Sequence, residues 1–143
     1  LPDMLNAKIN NLYPWGTEWP PTKGAGNFPD AVTKEKLPSY TIIEGYTDGF
    51  ATTAPVMSFK PNNLGLFDLA GNVWEWCEDD WHDTYKGAPK NFKPWVDAPR
   101  GSNRVRRGGS WFNRAQGCRV AYRRSSASGG AADDVAEAPA VAE

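Results

Sequence analysis

Histidine and cysteine are almost missing from this chain, which has one of the first, His82, and two of the second, Cys77 and Cys118. A single histidine cannot build a two-histidine, one-carboxylate iron centre, so His82 with Asp80 or Asp83 would be the only local start of one. Two cysteines far apart in sequence allow one disulfide, one metal-supported pair or two buried thiols. Without the close spacing of a redox or zinc motif, buried thiols are the default. Arginine is absent before Arg100, where every basic residue is lysine. No apolar run is long enough to cross a membrane, and the residues at Leu1 lack the form of a signal peptide. A net charge of −1 supplies no general attraction to nucleic acid or to a membrane surface, and neither is expected as a partner. The chain opens without Met, and is expected to be a fragment or a processed form of something longer.

Turn formers and aromatics are plentiful. Fourteen Gly, twelve Pro and seven Trp in 143 residues suit a loop-rich domain with short strands better than a helical bundle, and the length is enough to bury a core. The densest segment is residues 64–81, LGLFDLAGNVWEWCEDDW. Val73, Glu75 and Cys77 alternate with Trp74 and Trp76, which predicts a strand after the Ala70-Gly71-Asn72 turn. Glu75 then sits between two apolar neighbours on one face, where an ionised carboxylate requires an Arg or a metal ion. Asp68 lies seven residues earlier, and the turn between them can add backbone carbonyls, the oxygen mixture that Ca²⁺ favours. A Glu75–Arg pair with Asp68 as a plain turn residue is the competing reading.

Before this segment, residues 13–27 predict an irregular loop pinned by its aromatics, preceded by a possible helical turn within residues 1–12. Asn27-Phe28-Pro29-Asp30 and Tyr46-Thr47-Asp48-Gly49-Phe50 are two further oxygen-rich turns, and residues 54–59 read as a short strand. After it, Glu78, Asp79, Asp80 and Asp83 read as a solvated acidic loop. Residues 85–100, interrupted by Pro89, Pro94 and Pro99, read as an exposed excursion. Residues 104–112 predict a strand broken by Gly108-Gly109, and residues 119–123 another, with the clustered arginines paired inside the molecule. From residue 125 onward, small and acidic residues predict a disordered tail. The domain boundaries are therefore 1–124 and 125–143.

In order, YPWG at Tyr13, GNF at Gly26, DGF at Asp48, APV at Ala54, GLFDLAGNVWEW at Gly65 and RVRRGGSW at Arg104 resemble the formylglycine-generating enzymes, also called sulfatase-modifying factors. The resemblance covers residues 13–123. It implies an α+β, irregular, loop-rich fold of the C-type-lectin kind with short antiparallel strands. It also implies two structural Ca²⁺ sites. One matches the Asn27 side chain, the Phe28 carbonyl, the Asp48 side chain and the Phe50 carbonyl; the other matches Asp68, the Gly71 and Val73 carbonyls, and Glu75. Asp68 stands where the compared enzyme has Asn, which keeps an oxygen and adds charge.

The enzymes of the family oxidise a sulfatase cysteine with O₂ on Cu(I) held by two cysteines five apart, soon after the GGS motif. Thiolates are the soft ligands that ion needs. Counted without gaps from Gly108-Gly109-Ser110, the first position falls on Asn113 and the second on Cys118. If residues 119–123 align with the family's next basic strand instead, Cys118 matches neither. No copper and no catalytic residue are expected in either register. The usual closing Gly-Phe-Arg strand and the portion before YPWG are also missing. The expectation is a calcium-stabilised binding or accessory module for a protein or peptide ligand, with residues 111–122 facing it, as in the variable proteins that share this fold. The alternative is a formylglycine-generating or related metal-dependent oxidoreductase.

Overall fold

The computed structural model describes residues 12–128 and 135–136. Regular structure is sparse. One short helix, α1 (Ala31–Lys36), precedes β1 (Trp74–Asp80) and β2 (Asn103–Arg107). A 3₁₀ turn (Ala115–Cys118), β3 (Arg124–Ala127) and the two-residue β4 (Val135–Ala136) follow. The strands form one sheet in the order β3-β2-β1-β4, antiparallel except for β1 with β4, which is parallel. The loop-rich character with short antiparallel strands is as expected.

Helix α1 forms because Asp30 caps it. The Asp30 carboxylate accepts from the Thr33 N–H at 3.0 Å, and the Thr33 hydroxyl accepts from the Asp30 N–H at 3.3 Å, a reciprocal box that satisfies donors at the helix start. Lys34 and Lys36 in its last turn suit the negative end of so short a helix. Beside it, Tyr13, Phe28, Ile43, Tyr46, Ala70 and Cys118 make the core, with Trp15 and Ala25 packed against them. Tyr13 stacks on Trp15 at 4.6 Å, Trp15 meets Phe28 edge-on at 5.2 Å, and Phe28 meets Tyr46 at 5.7 Å. These ring pairs, with a Tyr46 hydroxyl donating to the Gly26 carbonyl at 2.5 Å, fix the Pro- and Gly-rich loop to the body as expected.

Several expectations are corrected. Residues 54–59 are not a strand: Met57 has φ 61°, and the Ala54 N–H and C=O are taken by the side chain of Asn72 in place of a neighbouring strand. Most of the acidic run is not a loop, because β1 continues through Glu78 and Asp79 to Asp80, which is 1% exposed; Asp83, beyond the strand, is exposed as expected. Residues 119–123 are a turn, and the strand begins at Arg124. Ser125, Ser126 and Ala127, expected in a disordered tail, pair with Val105, Arg104 and Asn103 of β2 because that edge offers free backbone groups. Val135 and Ala136, in the same expected tail, pair with Trp74 and Glu75 of β1. The helical turn expected near the start and residues 129–134 and 137–143 of the tail lie outside the described residues.

Candidate functional site

The oxygen-rich turns expected to hold cations come together on the Asn27–Gly71 contact. Asn72 donates its backbone N–H to the Asn27 carbonyl at 2.9 Å, and the two segments run parallel there. Only glycine fits at 71: its φ is 78°, and a Cβ would lie 2.1 Å from the Asn27 carbonyl oxygen. The GGS turn closes over the other side, with Gly71 N–H donating to the Gly108 carbonyl at 2.9 Å and Trp111 N–H to the Asn72 carbonyl at 2.8 Å.

In the first group, the Asp48 carboxylate accepts from Phe28 N–H at 2.7 Å and from Phe50 N–H at 2.8 Å, which gathers both turns around it. Burial nevertheless pushes its carboxyl up to about 6, with those two hydrogen bonds opposing and the charge of Asp30 adding to the rise. Asp30 behaves differently. Burial raises its pKa, but donors from Thr33, Asp48, Gly49 and Thr47 outweigh that and hold it below the usual range. Beside Asp48, Asn27 is 1% exposed; its amide nitrogen donates to the Thr52 carbonyl at 2.7 Å and to Asn72 Oδ1 at 3.3 Å. Its Oδ1 is buried and accepts no hydrogen bond.

The second group is Asp68 and Glu75, flanking the turn that contains Gly71 and Val73. Asp68 Oδ2 accepts from Met57 N–H at 2.7 Å, while Asp68 Oδ1 is buried with no partner. Burial raises the Glu75 carboxyl, and the charge of Asp68 raises it further. Arg107 stands opposite Glu75 in the β1–β2 register, yet its guanidinium donates to the Val120 and Tyr122 carbonyls and to the Tyr85 hydroxyl. Among the described residues Glu75 forms no salt bridge, so the competing Glu75–Arg pair is not formed. Asp68 also lines an open groove of about 590 Å³ beside Trp15 and Lys60, which gives water and ions a path to this group. Among the described residues no three His, Cys, Asp or Glu side chains gather, so an ion here would draw on amide and carbonyl oxygens as well as carboxylates.

The other candidates have resident partners. Asp80 accepts from Arg104 and from Asp97 N–H and forms an ion pair with Arg100 at 3.4 Å; the Asp97 hydrogen bond leads, burial opposes, and the two arginines help hold its carboxyl below the usual range. His82 stacks on Trp95 at 3.6 Å and contacts the Asp80 carbonyl and Asp97, closing the base of the excursion. Arg123 lies 4.4 Å from both the Trp81 and Tyr85 rings. Both cysteines are free. Cys118 is 1% exposed, its thiol pushed up to about 12 by burial despite a hydrogen bond from Gly71. Gly109 sits so close that a Cβ there would lie 2.7 Å from the Cys118 sulfur. Asn113 is occupied by the Ser110 hydroxyl, which donates to it at 2.5 Å. On the rim, Tyr40 stacks on Trp111 at 5.7 Å and meets Phe112 at 6.2 Å, all three partly exposed.

Sequence reasoning missed Asn72 and Asp80. Asn72 read as a turn residue, and its side-chain partners lie 18 and 45 residues away, so nothing local announces them. Asp80 was hidden in an acidic run, although the later arginine cluster was the available signal.

The family model of the sulfatase-modifying factor enzyme 1-like domain matches residues 7–136. The formylglycine-generating enzyme of Thermomonospora curvata is 39% identical over 122 residues, covering 78% of this chain and 36% of that protein. Among solved structures, PvdO from Pseudomonas aeruginosa matches with a TM-score of 0.59 at 36% identity, over 64% of this chain and 34% of that one. Treponema denticola variable protein 1 matches with a TM-score of 0.51 at 38% identity, over 62% and 32%. The chain spans 25% to 36% of the length of the formylglycine-generating enzymes it matches. With the family motifs gathered in the fold as well as in sequence, this chain belongs to the sulfatase-modifying factor enzyme 1-like family.

Proposed function

We propose that this chain is a calcium-stabilised domain on a C-type-lectin-like scaffold, serving as a binding or accessory module and not as a copper oxidase. The observation that carries the calcium reading is a pair of buried oxygens with no hydrogen-bond donor, Asn27 Oδ1 in one group and Asp68 Oδ1 in the other. A buried acceptor left unpaired costs about 1–3 kcal/mol, and a hard cation removes that cost. Asn27 and Asp48 with the Phe28 and Phe50 carbonyls would hold one ion; Asp68 and Glu75 with the Gly71 and Val73 carbonyls would hold the other. When bound, each ion supplies the positive charge that the neighbouring carboxylates lack.

The binding role rests on the cysteines and on the rim. Two accessible thiolates are what Cu(I) requires, whereas Cys118 is walled into the core with its proton held and Asn113 is tied to Ser110. The residues do not fit a copper centre. In its place, the Tyr40, Trp111 and Phe112 rings offer a partly exposed aromatic surface for a protein or peptide ligand, along the segment expected to face it. Thermal unfolding in EDTA and in calcium, run beside copper(I) titration and O₂ uptake with a sulfatase-type cysteine peptide, tests both halves. The expected result is calcium-dependent melting without turnover. Stoichiometric copper binding with peptide oxidation would overturn the module reading.

A further inference from the structure

Asn72 is tied to residues of both cation groups and is itself among the proposed ligands of neither. Its side chain is 5% exposed and bonded at both ends: Oδ1 accepts from Ala54 N–H at 2.9 Å and from Asn27 Nδ2 at 3.3 Å, and Nδ2 donates to the Ala54 carbonyl at 3.1 Å. The consequence for Asn27 is specific. A primary amide has two N–H donors, and here one goes to the Thr52 carbonyl and the other to Asn72. With both hydrogens committed, the amide cannot flip, and Asn27 Oδ1 is left facing the space where it has no donor.

The backbone of the same residue governs the second group. Asn72 lies between Gly71 and Val73, whose carbonyls belong to that group, and it holds a left-handed conformation at φ 60°. Its N–H is bonded to the Asn27 carbonyl and its C=O to Trp111 N–H. Any shift of the Gly71–Val73 carbonyls therefore moves the group that orients Asn27, and any rotation of the Asn27 amide pulls on the turn between Asp68 and Glu75. Two sites whose ligands hang on one residue are coupled wherever each ion shifts that residue, and any such coupling is reciprocal.

The geometry points to Asn72 as a positioning residue that couples the two cation sites, so that filling either one prepares the other. This rests on the calcium reading, and the test separates the two ideas. Calcium alone is titrated into the full chain by calorimetry, as wild type and as Asp48→Asn, Glu75→Gln and Asn72→Gly; glycine keeps the left-handed backbone that Asn72 adopts. In the wild type two ions bind with positive cooperativity. Asp48→Asn, which cripples the first site, weakens the second about tenfold, and Glu75→Gln weakens the first by the same factor, a size typical of such coupling. In Asn72→Gly both ions still bind, but the factor falls toward one, which a merely structural role would leave unchanged. The side-chain amide resonances of Asn27, well resolved and slow to exchange in wild type and in Glu75→Gln, broaden in Asn72→Gly.

Two calcium ions binding with each site indifferent to loss of the other would overturn the coupling while leaving the calcium reading intact. No calcium uptake by the wild type would overturn both. Should Asn72→Gly fail to fold, Asn27→Asp takes its place: it keeps a side-chain oxygen in the first group but cannot donate to Asn72, and a coupling factor that stayed near tenfold there would overturn the role given to Asn72.

Discussion

Glu75 and Asp80 stand on the same strand, both drawn out of bulk water, and their surroundings differ in one respect. Asp80 is met by Arg104 and Arg100 and by the Asp97 N–H, and its carboxyl is held low. Glu75 has Asp68 as its charged neighbour, has no salt bridge among the described residues, and its carboxyl is raised. An acid that brings its own cations is part of the architecture. One that lacks them takes up a proton, as the raised carboxyl of Glu75 does, or accepts a cation from outside, which is the calcium reading proposed above. The register makes the difference possible: the β1–β2 ladder is irregular between Trp76 and Asp80, which sets Asp80 opposite Arg104, while Arg107 opposite Glu75 turns to backbone carbonyls and Tyr85.

The largest effect is expected at the self-contained end. Asp80→Ala leaves two arginines facing a buried gap, and should lower the melting temperature by more than removing calcium does, by the same amount in EDTA and in calcium. A calcium-dependent loss would erase the distinction between the two acids. Next, Glu75→Gln should reverse sign with the metal. In calcium at 100 times Kd, one site adds about 2.7 kcal/mol, on the order of 10 °C for a domain of this size, and the substitution removes most of it. In EDTA the same variant should melt no lower than wild type, because it deletes a buried charge and its repulsion with Asp68. Equal destabilisation in both conditions would make Glu75 an ordinary structural acid.

The smallest effect separates the two kinds of acid by pH. Without calcium, Asp48 with its carboxyl pushed up to about 6, and Glu75 shifted the same way, stabilise the fold while protonated. Their contribution is full below the ordinary carboxylate range and lost as pH climbs, for Asp48 through about 6. Asp80 runs the other way: its contribution is full above the ordinary 3.8 and is lost as pH falls through its lower folded value. Denaturant midpoints between pH 4 and 7 should therefore fall with rising pH in EDTA, fall less steeply in Glu75→Gln, where Asp48 still titrates, and rise in calcium, where the metal displaces the proton. A midpoint rising with pH in EDTA would refute this ordering.

The alternation of Val73, Glu75 and Cys77 with Trp74 and Trp76 was legible as a strand because its period is local, and the glycine pair ended β2 where the pattern breaks. The pinned aromatic loop was legible too, since prolines exclude a ladder and rings need burial. Other features were not. The Ala54 backbone pairs with an asparagine side chain 18 residues away, which no periodicity encodes. The run from Glu78 to Asp80 has the composition of a loop, and its strand character comes from Trp95 and the arginines of residues 100–104 closing on it.

By itself the sequence settled the family, the loop-rich class and which oxygens share a turn, because spacing along a chain fixes what lies within a few residues. Tertiary structure alone decided which of the acids has a cation, which amide oxygen is left without a donor, and that one asparagine joins the two groups. Those outcomes depend on what distant segments bring to the same point, and burial, which sets the cost of an unpaired charge, exists only once they meet.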